Sequence, residues 1–294
     1  MSLYNSSSVP SALIVSIVNN KGGVGKTTST GILAQLLAYL GKKILIVDMD
    51  PQCNLSMMFD CFDRESPEII RGLSAPNTLN IADLFKYRYR TAEEMHAVIR
   101  HTKIHNIDII PASKRHDNTV VDILLRQTGN NNIILKRALS VIRSEYDYII
   151  IDNAPAKDVL AVNSLFASDQ VYIPVRLENF SYEGLRETLD SIIFIKEEHD
   201  IDSLNFGGAF ITHSETNTIS YRSAAENYAE TLGNKFFRTS IRKDIKISEI
   251  EKCFRPILEY CPNTNAVFDY SNLLLEMKIL DEHSESILRR SISA

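Results

Sequence analysis

Apolar runs rich in β-branched residues alternate with segments of helical period along most of this chain. The runs predict strands at Ala12 to Val18, Lys43 to Val47, Ile107 to Ile110, Tyr148 to Ile151, Val171 to Val175 and Phe206 to Ile211. Helices are predicted at Lys26 to Tyr39, Ile133 to Ser144, Tyr182 to Glu197 and Ser220 to Leu232, with Gly41 closing the first of them as its C′ residue. This alternation is the signature of an α/β fold, a doubly wound, mostly parallel sheet with helices on both faces. Pro67, Gly72 and Pro76 break any period between Asp60 and Asn80, which predicts an excursion at the sheet's edge, and Gly129 to Asn132 reads as a loop. With no repeat or linker, the pattern predicts one domain over 1–294, a flexible N-terminus over 1–10 and a flexible tail over 284–294.

Composition narrows the class without changing it. A 44% hydrophobic and 23% charged chain is an ordinary globular protein with material for a buried sheet, which excludes disorder. The longest apolar runs, such as Tyr146 to Ile151, fall far short of the roughly 20 residues that span a bilayer. Met1 to Pro10 lacks the basic and apolar regions of a signal peptide, so a cytoplasmic location is expected. Cys53, Cys61, Cys253 and Cys261 fit no zinc or iron–sulfur spacing, and the histidines are scattered.

The chemistry begins directly after the first predicted strand. Asn20-Lys21-Gly22-Gly23-Val24-Gly25-Lys26-Thr27-Thr28 is a glycine-rich loop that opens an apolar helix, the setting of a phosphate cradle. Glycines let successive backbone N–H groups face one concavity, the lysine neutralises phosphate charge, and the hydroxyl residue meets Mg²⁺. Gly25, Lys26 and Thr27 fill the last three places of the G-x-x-x-x-G-K-[ST] pattern. Asn20 stands where its first glycine would be, and Lys21 is a cation the pattern does not call for.

Carboxylates follow at two other strand ends. Asp48 and Asp50 leave the second predicted strand two positions apart, and Asp152 closes the run Tyr146 to Ile151 in the manner of a Walker B strand. Ligands of open parallel sheets sit beyond the carboxyl ends of the strands, so all three should face the loop and a Mg²⁺ ion.

The loop Lys21 to Thr28, the segment Asp48 to Gln52 with Asn54, the run Asp108 to Ser113 and the strand Tyr148 to Asp152 occur in a fixed order. Ile173-Pro174-Val175, Glu183-Gly184-Leu185, Thr239 to Glu249 and Pro256-Ile257-Leu258 continue it. In these motifs the chain resembles the ParA/MinD group of deviant Walker A ATPases, on the branch of the ParA (Soj) partition proteins, from about Ala12 to about Leu280. The resemblance implies ATP and Mg²⁺ as cofactors. Gly22, Gly23, Val24, Gly25, Lys26, Thr27 and Thr28 would hold the phosphates, and Thr27 the metal. Asp50 would position the attacking water, with Asp48 and Asp152 in the metal's outer shell. Lys21 would reach the nucleotide of a second subunit, making an ATP-dependent homodimer that hydrolyses slowly until stimulated by a ParB-type centromere-binding protein.

Three positions depart from the family pattern. Cys53 replaces a usual glycine, Ala154 the first of two prolines, and Arg242 a proline before the basic residue.

The net charge of −5 argues against a wholly basic nucleic-acid binder, yet Lys235 to Arg255 carries seven basic residues against three acidic ones. The resemblance implies non-specific DNA binding here, through Arg242, Lys243 and Lys246, and a nucleoid-associated location. Phosphate contacts of this kind are salt-sensitive and read no sequence. With the loop starting at Asn20, no preceding helix-turn-helix domain is expected. A MinD-like membrane switch is the alternative, but Ile287, Leu288 and Ile292 give the final segment too little apolar surface for firm interfacial binding.

Overall fold

A computed structural model of the chain describes residues 11–62, 79–87, 89–112, 131–155, 159–177, 181–214, 219–247, 249, 257 and 261–293. The strands are β1 (Leu13–Ile17), β2 (Ile44–Asp48), β3 (Arg100–His101), β4 (Ile107–Ile110), β5 (Tyr148–Asp152), β6 (Gln170–Arg176) and β7 (Asn205–Thr212). They form one sheet in the order β3-β4-β2-β5-β1-β6-β7. Every pairing is parallel except β3 with β4.

Alternate residues of the inner strands feed two separate cores. Val15 and Ile17, Ile44 and Ile46, and Tyr148 and Ile150 pack on one side; Ile14, Leu45 and Val47, and Ile149 and Ile151 pack on the other. Both faces are therefore dry, which is why these strands are continuous apolar runs with no polar alternation. The described helices are α1 (Lys26–Tyr39), α2 (Asn54–Met58), α3 (Ile81–Tyr87), α4 (Ala92–Val98), α5 (Ile134–Ser140), α6 (Val159–Ala167), α7 (Ser181–Glu198), α8 (Ile219–Leu232), α9 (Asn265–Met277) and α10 (Glu282–Ser293).

Expected strand ends agree with these within a residue or two. Helix α1 ends as Gly41 dictates: at φ 80° its N–H reaches Ala38 O, and the Lys42 N–H reaches Leu37 O, a Schellman closure. The helix expected from Ile133 to Ser144 is shorter, because a 3₁₀ turn takes over at Arg143–Glu145. Strand β3 is two polar residues long and left no periodicity to find. Helix α4 did leave a signal: Thr91 accepts from the Glu94 N–H while the Glu94 carboxylate accepts from the Thr91 N–H, a capping box readable as Thr-x-x-Glu.

The expected flexible tail over 284–294 is corrected. Residues Glu282–Ser293 are helical, and Leu288 is 1% exposed within the core beside α1 and α9, with Ile287 and Ile292 packed at its edge. Asp281 starts this helix by accepting from Ser284 N at 2.9 Å and Ser284 Oγ at 3.0 Å, and pairs with Lys42. Too few apolar residues for a membrane are enough for one packed stripe. Among the described residues, no helix is long and apolar enough to cross a membrane. The expectations for 1–10, for most of Asp60 to Asn80 and for Gly129 and Asn130 fall outside the described residues.

Candidate active site

Strand β1 delivers the glycine-rich loop to the carboxyl edge of the sheet, at the N-terminus of α1. Gly23 and Gly25 hold φ of 70° and 84°, which a side chain would strain. A Cβ on Gly22 or Gly23 would meet nothing within 4 Å, so the concave side of the loop lies open. Gly25 starts α1 without a side-chain cap, and no acidic residue occupies the first turn. The first N–H groups and the positive end of the helix dipole are thus left to attract an anion.

Lys26 is buried at 6% exposure and donates to Lys21 O at 3.0 Å, closing the loop on itself. Burial lowers its pKa, while Asp152 and Asp50 pull the other way and favour its charged form. These carboxylates come from adjacent strands: Asp48 and Asp152 are register partners of β2 and β5, and both are 0% exposed. Asp48 is fully engaged. Its Oδ2 accepts from Ser56 N at 2.8 Å and Ser56 Oγ at 2.6 Å, and its Oδ1 from Asp50 N at 3.1 Å. Burial still pushes it up to about 7, against those hydrogen bonds.

Asp152 differs. Neither of its oxygens has a hydrogen-bond partner among the described residues, and burial, then Asp48, raises it well above the usual carboxylate range, partly opposed by the Thr27 hydroxyl. A buried carboxylate with both oxygens orphaned, beside a hydroxyl and a phosphate loop, fits a hydrated divalent cation. Asp50, at 8% exposure, faces the same space and is held by the Gln52 N–H at 2.9 Å. Cys53 follows at φ 58°, a left-handed conformation that accounts for the glycine usual at this place in the family pattern.

The loop, Asp50, Thr212 and the segment Ile241 to Ile245 line a cavity of about 910 Å³. That is room for a nucleoside triphosphate. Thr212, at the end of β7, donates to Val24 O at 2.8 Å and so ties the far side of the sheet to the loop. Lys21 stands apart from the cavity lining: it is exposed, and its stem lies against Gly184 of α7.

The basic segment divides on inspection of its contacts. Arg242 is clasped by Asp269 of α9, which accepts from its backbone N–H at 2.9 Å and from Nε and an Nη at 2.9 and 2.7 Å. Its guanidinium is committed to holding the cavity wall against α9. Lys243 is exposed at the cavity rim, and Lys246 is exposed and paired with Glu249 at 2.9 Å. Lys252 and Arg255 lie outside the described residues. Ser56, Thr212 and Asp269 escaped the sequence reading: Ser56 lies eight positions from Asp48 but in no short motif, and Thr212 and Asp269 act on partners 188 and 27 positions away.

A family model described as an AAA domain matches residues 12–205. The chromosome-partitioning ATPase Soj of Treponema pallidum is 32% identical over 90% of this chain and 96% of its own length. The chain belongs to the ParA/MinD family of ATPases. Within this family, the sporulation initiation inhibitor protein Soj of Bacillus subtilis is 30% identical over 90% of this chain and 97% of its own. Among solved structures, a plasmid partition protein from Borrelia burgdorferi bound to AMPPNP superposes with a TM-score of 0.70 at 26% identity, covering 90% of this chain and 98% of that one. The apo McdA structure, at 20% identity and a TM-score of 0.74 over 90% of this chain and 99% of that one, shares the fold.

Proposed function

We propose that this chain is a ParA-type partition ATPase that binds MgATP in the cavity, pairs with a second copy across the nucleotides, and holds DNA non-specifically while ATP is intact. The observation that carries the reading is Asp152, buried with both oxygens orphaned beside Thr27 and Lys26 of the glycine-rich loop. Soj of Treponema pallidum, an ATPase by name, and the AMPPNP-bound Borrelia protein support it.

In this scheme the amides of Gly22 to Thr28 and the Lys26 ammonium bind the β- and γ-phosphates. Thr27 and Asp152 would hold Mg²⁺, which would supply positive charge against the transferred phosphoryl group, while Asp48 fixes the backbone of Asp50 by accepting its N–H. Asp50, at the cavity wall, orients the attacking water. Lys21 contributes its charge to the second subunit's phosphates, so hydrolysis and subunit pairing are linked. Lys243 and Lys246 supply the DNA phosphate contacts, with Arg242 keeping the segment seated. A ParB-type centromere-binding protein stimulates hydrolysis and couples the cycle to a plasmid or chromosomal cargo on the nucleoid.

Gel filtration with a non-hydrolysable ATP analogue tests the pairing: a dimer is expected, and a persistent monomer overturns it. DNA retention in the same state should fall steeply with salt and vanish in Lys243→Glu/Lys246→Glu. Retention unchanged by that reversal moves the DNA surface elsewhere.

A further inference from the structure

The residues that lead into the loop are fastened to β6, where Asn19 Nδ2 donates to Pro174 O at 2.8 Å, and to α7. The Asn20 N–H donates to Thr188 Oγ1 at 3.3 Å and Asn20 Nδ2 to Ser191 Oγ at 3.4 Å. The Lys21 N–H donates to Asn19 Oδ1 at 2.8 Å, and the Thr188 hydroxyl sits 3.3 Å from that same oxygen while donating to Gly184 O at 2.8 Å. The backbone of Lys21 is thereby set facing α7, and its side chain runs along that helix. A Cβ on Gly184 would lie 2.3 Å from Lys21 Cε, 2.7 Å from Nζ and 3.0 Å from Cδ. The three nearest atoms to that position all belong to Lys21. The lysine occupies the space where any other residue's side chain begins, and its stem covers a buried Gly184 while the residue as a whole stays exposed. Lysine stems pack on such surfaces, and here the ammonium comes down with the stem, its Nζ 2.7 Å from the same position.

We infer that Gly184 is a positioning residue for Lys21: by having no side chain it lets α7 seat the lysine on its own subunit, and this seat competes with the reach toward a second subunit. The inference rests on the trans role proposed above for Lys21. A seated majority state reduces apparent affinity for the partner by the seated fraction, so unseating the lysine should tighten pairing.

Gly184→Ala is the test, since alanine is the better helix former and its methyl needs the volume Lys21 fills. In the nucleotide-free protein, reductive methylation read by mass spectrometry should modify Lys21 about fourfold faster in the variant, the factor equivalent to one buried methylene, ~0.8 kcal/mol. Lys42 and Lys278 should react unchanged. With the ATP analogue, the dimer dissociation constant should fall by a comparable factor. Unchanged labelling of Lys21 overturns the seat, and faster labelling with an unchanged or weaker dimer overturns the competition. If neither protein dimerises, the trans role of Lys21 falls, and labelling alone then decides whether Gly184 seats it.

Discussion

Lys26 and Asp50 line the same cavity and are expected to fail differently. Lys26 is a buried ammonium at the loop's centre, so Lys26→Ala should weaken nucleotide binding itself, at least tenfold in a fluorescent-nucleotide titration if about 1.4 kcal/mol is lost. Asp50→Ala removes a carboxylate from the cavity wall while leaving the loop intact. It should bind the nucleotide and lose turnover, and wild-type phosphate release from this variant would take Asp50 out of the reaction. Asp48 carries a pH dependence. Its folded pKa of about 7 exceeds the ordinary carboxylate value because burial favours the neutral acid. The folded state therefore binds more protons between about 4 and 7, and the stabilisation present at the acid end is lost as pH rises through that window. The nucleotide-free protein should melt at lower temperature as pH is raised across it; because burial also raises Asp152, Asp48→Asn should lessen the slope and Asp48→Asn/Asp152→Asn should flatten it. An equal slope in Asp48→Asn would assign the proton elsewhere.

Among elements, the link between the segment Ile241 to Ile247 and α9 shows why charge counting misleads. In the sequence, Arg242, Lys243 and Lys246 are equivalent cations of one basic stretch. In the fold, Arg242 alone meets a buried carboxylate, Asp269 at 5% exposure, and the other two are exposed. Arg242→Ala would leave that carboxylate buried without its cation. The guanidinium is itself partly exposed, so about 2 kcal/mol of destabilisation is expected in a urea melt. Lys243→Ala and Lys246→Ala should each stay within about 0.5 kcal/mol of the parent. Equal effects of all three would remove the structural role of Arg242. The ends of α10 give a parallel lesson. Ile287, Leu288 and Ile292 are sparse for an amphipathic helix, yet Asp281 starts the helix and Leu288 enters the core. Leu288→Ala should cost about 2–4 kcal/mol by calorimetry or denaturant unfolding, whereas a loose tail would show no change.

At the scale of the whole molecule, the legible parts are those whose physics is local or doubly buried. The inner strands of the sheet were readable because both faces are dry, and the loop because its residues are contiguous. The polar edge strand β3 was not, being two residues long and without a period, nor was the hold of Ser56 on Asp48, eight positions away in no short motif, nor the clasp of Asp269 on Arg242, which needs segments 27 positions apart to meet. Strand β1 makes that dependence acute. It lies between β5 and β6, with Leu13 opposite Tyr148 and Val15 opposite Gln170, and the Ile14 N–H donates to Asp169 across 155 positions of chain. The phosphate loop, near the start, is steadied by Thr212 across 188 positions. A ribosome making this protein therefore releases its most chemically recognisable stretch first and the partners that shape it long afterwards. Until β6 and β7 have emerged, the sheet around β1 is complete on its β5 side alone and the loop lacks the tie from Thr212, so ligand rescue during synthesis comes only after β7.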